Sequence, residues 1–180
     1  MAQLIPVDTF DLIIFGGTGD LAMRKLLPAL YHRDLDGQVT ADSRIIAASR
    51  GALTRDKYLA LVEKSLREKL PKGEFDAAHW KTFKKRIHYV QADAFAHDNW
   101  GRLVKKLSGH EERTRVAYLA TAPSLFGALL DTAVATLRER PQSAARNLGI
   151  DAHRSFRQDR PRSSPGGTVH SSVFSFMCIP

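Results

Sequence analysis

Cysteine is nearly absent from this chain: Cys178 is the only one in 180 residues. One thiol closes no intramolecular disulfide and builds no cysteine-based zinc site, so a stapled secreted scaffold is excluded and a reducing cytoplasm is expected. Long apolar runs are missing too. The charge-free apolar run Leu12 to Gly19 falls far short of the roughly 20 residues that cross a bilayer. Asp8 and Asp11 interrupt the start, where a signal peptide needs an unbroken apolar stretch. A soluble protein with no membrane partner is expected.

Several chemistries lack their motif. There is no G-x-x-x-x-G-K-[ST] loop, no G-x-S-x-G elbow, and no paired Cys/His spacing, so no metal site is expected. The seven histidines are scattered singly. Tyr31, Tyr58, Tyr89 and Tyr118 all lack a lysine four residues on, which removes the Tyr-x-x-x-Lys pair of short-chain reductases. Acidic charge is in deficit: 27 Lys+Arg against 19 Asp+Glu leave a net +8, which suits an anionic ligand, nucleic acid or an acidic membrane, and charge alone does not choose among them.

What is present alternates between strand and helix. Phe10 to Phe15 (FDLIIF) reads as a buried strand that runs into Gly16-Gly17-Thr18-Gly19. A helix is expected to follow through Leu21, Leu26, Leu27 and Leu30, with Pro28 kinking or shortening it. Further strands are expected at Arg44 to Ser49, Ile87 to Val90 and Val116 to Ala120. Helices are expected over Thr54 to Leu70, with Thr54 as N-cap, and over Asp76 to Lys84, Trp100 to Leu107 and Leu125 to Leu137. This succession predicts an α/β fold: a Rossmann-like parallel sheet with helices on both faces.

Lysine then disappears. Residues 1–137 hold ten Lys and ten Arg, whereas 138–180 hold seven Arg, no Lys, seven Ser and four Pro. Only eight of those 43 residues are Leu, Ile, Val or Phe, too few to offset the entropy of ordering, so a largely disordered tail is expected after a 1–137 dinucleotide domain. A nucleic-acid role through this tail is disfavoured, because Phe156, Phe174 and Phe176 are its only stacking residues and no binding module is recognisable.

The segment Gly16-Gly17-Thr18-Gly19-Asp20-Leu21-Ala22 sits where a dinucleotide fold places its pyrophosphate: after the first strand, opening the first helix. Glycines admit positive φ and close approach, and the amides at the helix start attract an anion. Ala22 is small enough for close helix-to-strand packing. The second strand ends in Ser49-Arg50-Gly51, where an NAD site usually has a carboxylate; a hydroxyl and a guanidinium there favour the 2'-phosphate of NADP.

With these residues in view, FGGTGDLAMRKLLPALY (15 to 31) resembles the N-terminal signature of glucose-6-phosphate dehydrogenases. IIAASRGALT (45 to 54), VQADAF (90 to 95) and YLATAPSLFG (118 to 127) agree in order and spacing. The resemblance covers about Asp8 to Leu137. It implies NADP as cofactor, glucose 6-phosphate as substrate and oxidation at C1 to the 6-phospholactone, the first step of the pentose phosphate pathway. By it, Gly16 to Leu21 hold the pyrophosphate, Arg50 the 2'-phosphate, Asp93 and Ala94 border the adenosine side, and Thr121, Ala122 and Pro123 line the nicotinamide end. Lys25 matches the lysine that reaches the sugar phosphate.

Beyond the APSLFG element this chain departs from the family. The E-K-P and R-I-D-H-Y-L-G-K elements, and the antiparallel-sheet domain that carries the histidine base and the homo-oligomer contacts, have no counterpart here. Ile150-Asp151-Ala152-His153 has an extra residue between Asp and His. The tail is read as a divergent or frame-shifted end, no catalytic residue is assigned, and a non-catalytic NADP-binding fragment is the alternative to an active enzyme.

Overall fold

The computed structural model describes residues 8–93, 100–110, 113–138, 149–151 and 173–177. Strand β1 (Phe10–Phe15) leads through a π-helical turn (Ala22–Leu26) into α1 (Leu27–Leu35). Then come β2 (Arg44–Ser49), α2 (Arg55–Lys69), α3 (Ala77–Arg86), β3 (Ile87–Gln91), α4 (Trp100–Leu107) and β4 (Thr114–Leu119). A 3-10 turn (Pro123–Leu125) precedes α5 (Phe126–Arg138), and two short strands follow, β5 (Gly149–Asp151) and β6 (Val173–Met177). All strand pairs are parallel, in the order β3-β2-β1-β4-β6-β5.

The central strands β1 and β2 are buried on both faces because their side chains alternate between two apolar clusters. Leu12 and Ile14 of β1, with Ile45 and Ala47 of β2, face Leu27, Tyr31, Tyr58, Val62 and Phe83 from α1, α2 and α3. Ile13, Phe15, Ile46 and Ala48 face Trp100, Leu103 and Leu107 of α4 and Leu129 of α5. The expected Rossmann-like sheet, clothed on both faces, is therefore what forms.

Local signals explain the boundaries. Thr54 caps α2 by accepting the Lys57 amide at 3.3 Å, and Asp76 caps α3 by accepting the Ala78 amide at 2.7 Å. Pro28 falls where the π turn gives way to regular α-helix, the place where the sequence predicts an irregularity. It stands in the first turn of α1, where no intrahelical amide is required, and the turn ahead widens so that the Leu27 amide donates to the Ala22 carbonyl. Strands β5 and β6 were not among the expected elements. Val173–Met177 is a locally strand-prone run inside a polar segment, and it pairs in register with β4. The rest of the tail, 139–148, 152–172 and 178–180, lies outside the described residues.

Near the start of the strands, His88 is half-buried beside Lys106, Arg55 and Arg44, with Asp11 the opposing charge. Burial first, then the three cations, push its imidazole down to about 4. Its folded-state pKa is thus depressed, so the neutral ring favours folding above the unfolded value of about 6.5, and stability drains as pH falls from there toward 4. We expect a loss of about 1 to 2 kcal/mol between pH 7 and pH 4.5, less than the full shift because the ring remains partly wet. His88→Asn should flatten this part of the curve; urea unfolding of both proteins at the two pH values measures it, and parallel curves would reject the assignment.

Candidate functional site

The chain reverses its lateral direction at β1, which has β2 on one side and β4 on the other, and ligands of open α/β sheets bind beyond the carboxyl ends of strands at such a point. A cleft of about 730 Å³ lies there, lined by Gly16, Thr18 and Gly19 after β1, Ser49, Arg50 and Gly51 after β2, Asp93 after β3, and Thr121 and Ala122 after β4. Phe15, Leu125 and Leu129 supply apolar wall.

The turn after β1 is shaped by contacts that exclude side chains. Gly16 has φ +82°, and a Cβ there would lie 2.4 Å from the Ala120 carbonyl oxygen. A Cβ on Gly17 would lie 2.6 Å from Cβ of Ala47. The turn is stitched to the sheet by the Gly16 and Gly17 amides, which donate to the Ala48 carbonyl at 2.8 and 3.1 Å, and by the Gly19 amide, which donates to Gly16 at 2.8 Å. The first two glycines thus buy close contact with β2 and β4, and Gly19 keeps the turn tight. No side chain caps the helix start at Leu21, and Ala22 is fully buried against the sheet, as its size suggests.

The sequence-derived residues divide. Gly16, Thr18, Gly19, Arg50, Asp93, Thr121 and Ala122 converge on the cleft. Gly17 is buried beneath it, its carbonyl accepting from Tyr58 Oη at 2.9 Å. Asp20 is exposed and pairs with Arg24 at 3.2 Å. Leu21, Lys25 and Pro123 are exposed and do not form its wall. Ala94 lies outside the described residues.

Two features of the cleft bear on its occupant. The Oγ1 of Thr121, a residue that lines the cleft, is buried with no hydrogen-bond partner among the described residues, an arrangement that costs free energy. The Arg50 side chain is exposed, and its guanidinium makes no ion pair among the described residues. Beside it, Thr18 Oγ1 donates to Ser49 Oγ at 3.2 Å. The hydroxyls of Thr18 and Ser49, beside a guanidinium without an ion pair among the described residues, fit a dinucleotide phosphate.

Sequence reasoning missed four supporting residues. Tyr58 and Tyr89 pack with centroids 4.9 Å apart, and burial raises the Tyr58 phenol, keeping it a donor to Gly17. Gln91 bonds the Arg50 carbonyl. Trp100 stacks on Phe15 at 5.4 Å and donates to the Asp93 carbonyl at 2.7 Å, bracing two walls at once. A buried tyrosine signals that its hydroxyl has a partner, but not which one.

Comparison with known proteins agrees with this geometry. The family model for the glucose-6-phosphate dehydrogenase NAD binding domain matches residues 13–146. Glucose-6-phosphate 1-dehydrogenase of Rhizobium meliloti (strain 1021) is 49% identical over 125 residues, covering 69% of this chain and 26% of the relative. That of Gluconobacter oxydans (strain 621H) is 41% identical over 133 residues, 73% of this chain and 27% of the relative. The crystal structure of the Mycobacterium avium enzyme superposes with a TM-score of 0.64 at 28% identity, over 73% of this chain and 28% of that one. A glucose-6-phosphate dehydrogenase in complex with its substrate gives a TM-score of 0.61 at 25% identity. The chain therefore spans about a quarter of the length of the curated relatives it matches. No helix among the described residues is long and apolar enough to cross a membrane.

Proposed function

Because the chain belongs to the glucose-6-phosphate dehydrogenase family, a family of oxidoreductases, we infer that its cleft is the NADP site of an enzyme oxidising glucose 6-phosphate to 6-phosphogluconolactone in the cytoplasm. The observation that carries the choice of NADP is Arg50, an exposed guanidinium without an ion-pair partner among the described residues, next to Ser49 at the end of β2. A carboxylate at that strand end would accept from a ribose hydroxyl; a guanidinium instead donates to phosphate oxygens.

In this reading the segment Gly16 to Leu21 takes the pyrophosphate through amides other than those of Gly16, Gly17 and Gly19, which donate to Ala48 and Gly16, and Asp93 and Ala94 border the adenosine side. Thr121 and Ala122 flank the nicotinamide end of the cleft, and Pro123 follows them just outside its wall. Lys25, exposed on the π turn, reaches toward the sugar phosphate. NADP when bound supplies the hydride acceptor, and a general base takes the C1 hydroxyl proton. A second reading, nucleotide binding without turnover, is favoured for a polypeptide of these 180 residues by the cleft itself: no histidine lines it among the described residues.

Arg50→Ala should weaken NADP by about 1.5 to 3 kcal/mol, roughly ten- to hundredfold, and leave NAD nearly unchanged, since only the former has the 2'-phosphate. Calorimetric titration of both nucleotides is the measurement. Equal losses for the two would remove Arg50 from this role.

A further inference from the structure

The arginine on which nucleotide choice depends sits in the middle of three consecutive residues, and each of the three is tied to a side chain of β3. Ser49 Oγ lies 2.7 Å from Tyr89 Oη. The Arg50 carbonyl accepts from Gln91 Nε2 at 3.1 Å. The Gly51 carbonyl accepts from Tyr89 Oη at 2.5 Å. Tyr89 and Gln91 are two apart on one strand, so both stand on the same face of the sheet edge and reach the same loop.

Proton counting fixes the direction of this chain. A phenol has one proton, and the Gly51 carbonyl, which can only accept, takes it. Ser49 must therefore donate to the Tyr89 oxygen, and the Ser49 oxygen is left to accept from Thr18 at 3.2 Å. Donation runs from Thr18 in the glycine turn through Ser49 and Tyr89 to the carbonyl of Gly51. The same tyrosine ring packs on Tyr58, whose hydroxyl holds Gly17. The arm that carries Arg50 is thus locked to the phosphate turn on one side and to β3 on the other, while the guanidinium itself stays without an ion pair among the described residues.

We propose that Tyr89 and Gln91 are positioning residues for dinucleotide selection: they hold the backbone of residues 49–51 so that Arg50 meets a 2'-phosphate without first having to be ordered. The inference rests on the reading of the cleft as an NADP site. A pre-ordered arm avoids the conformational entropy that a mobile one loses on binding, and that saving accrues to the nucleotide that uses the arginine and not to the one that does not.

The test is calorimetric titration of the full 180-residue chain with NADP and with NAD, for the wild type, Tyr89→Phe, Gln91→Ala, Arg50→Ala and the Tyr89→Phe/Arg50→Ala double variant. Phenylalanine keeps the packing on Tyr58 and loses only the hydroxyl; Gln91→Ala probes the same arm without touching that ring. Each of these two changes should weaken NADP by about three- to tenfold, the effect of one or two hydrogen bonds, and leave NAD within about twofold. In the Arg50→Ala background, Tyr89→Phe should have no further effect on NADP, because the tyrosine acts through the arginine. Equal weakening of both nucleotides by Tyr89→Phe and Gln91→Ala would mean a merely structural role and overturn the inference. So would unchanged NADP binding in those variants while Arg50→Ala loses its preference, a result that leaves the NADP reading intact. A wild type that binds neither nucleotide overturns both.

Discussion

Replacing Asp11 by asparagine is expected to cost about 3 to 5 kcal/mol of folding stability, the range for removing one partner of a buried ion pair. Asp11 is fully buried in β1, with 0% exposure. Its carboxylate takes Arg44 Nε at 2.7 Å and Arg44 Nη2 at 2.5 Å, and Arg113 Nη1 approaches at 3.4 Å. The strand register makes this unavoidable, since Asp11 lies directly opposite Arg44 on β2. Arg44 and Arg113 also bond the Lys106 and Asp42 carbonyls at 3.2 and 2.7 Å, so neither guanidinium can swing away to water without breaking other contacts. Asparagine keeps the shape but leaves two confined guanidinium groups with no compensating charge. Against a total stability of about 5 to 15 kcal/mol this is a large share, so the urea midpoint should fall steeply with an unchanged slope. Glu68→Ala is the control: it breaks the exposed Lys64–Glu68 pair at 3.9 Å and should move stability by no more than about 0.5 kcal/mol. A loss below about 1 kcal/mol for Asp11→Asn would show that the cluster is not held by this carboxylate.

Asp11 also marks where sequence reasoning stops. In the sequence it counts only as a charge that interrupts an apolar start, because nothing local says that arginines from two other segments converge on it. The periodic features were legible for the opposite reason. The β-branched run before three glycines, the caps Thr54 and Asp76, and the spacing of apolar residues in α2 are properties of short windows, and short windows set strand and helix ends. The cleft was legible to the same extent: Gly16, Arg50 and Thr121 each sit just past a strand end, and parallel strands bring those ends together. What bonds to them was not, since the hydroxyl chain from Thr18 to Tyr89 depends on lateral strand order. Strand β6 escaped notice because the composition of 138–180 as a whole hid five strand-prone residues within it.

A polypeptide of these 180 residues is expected to bind NADP and yet not to reduce it with glucose 6-phosphate. Abstraction of the C1 hydroxyl proton needs a base within hydrogen-bond reach, and such a group is typically worth 10²- to 10⁴-fold, about 3 to 5 kcal/mol. Among the described residues the cleft offers only Arg50 and Asp93 as charged groups. Of the described histidines, His32 and His79 lie 3.3 and 3.2 Å from Glu74 and Asp34, and neither they, His88 nor His110 lines the cleft. Orientation of the sugar matters more. Holding a substrate against its reaction partner contributes up to about 7 to 11 kcal/mol, and this chain aligns with only about a quarter of relatives long enough to enclose one. Lys25, an exposed cation outside the cleft wall, does not by itself fix a sugar ring. The combined deficit places turnover below detection, while Arg50-dependent nucleotide affinity persists. A spectrophotometric assay at saturating glucose 6-phosphate, with the Rhizobium meliloti enzyme as positive control, separates the two properties. Measurable turnover that disappears in His153→Ala would mean that the segment around His153 supplies the base and would overturn the expectation.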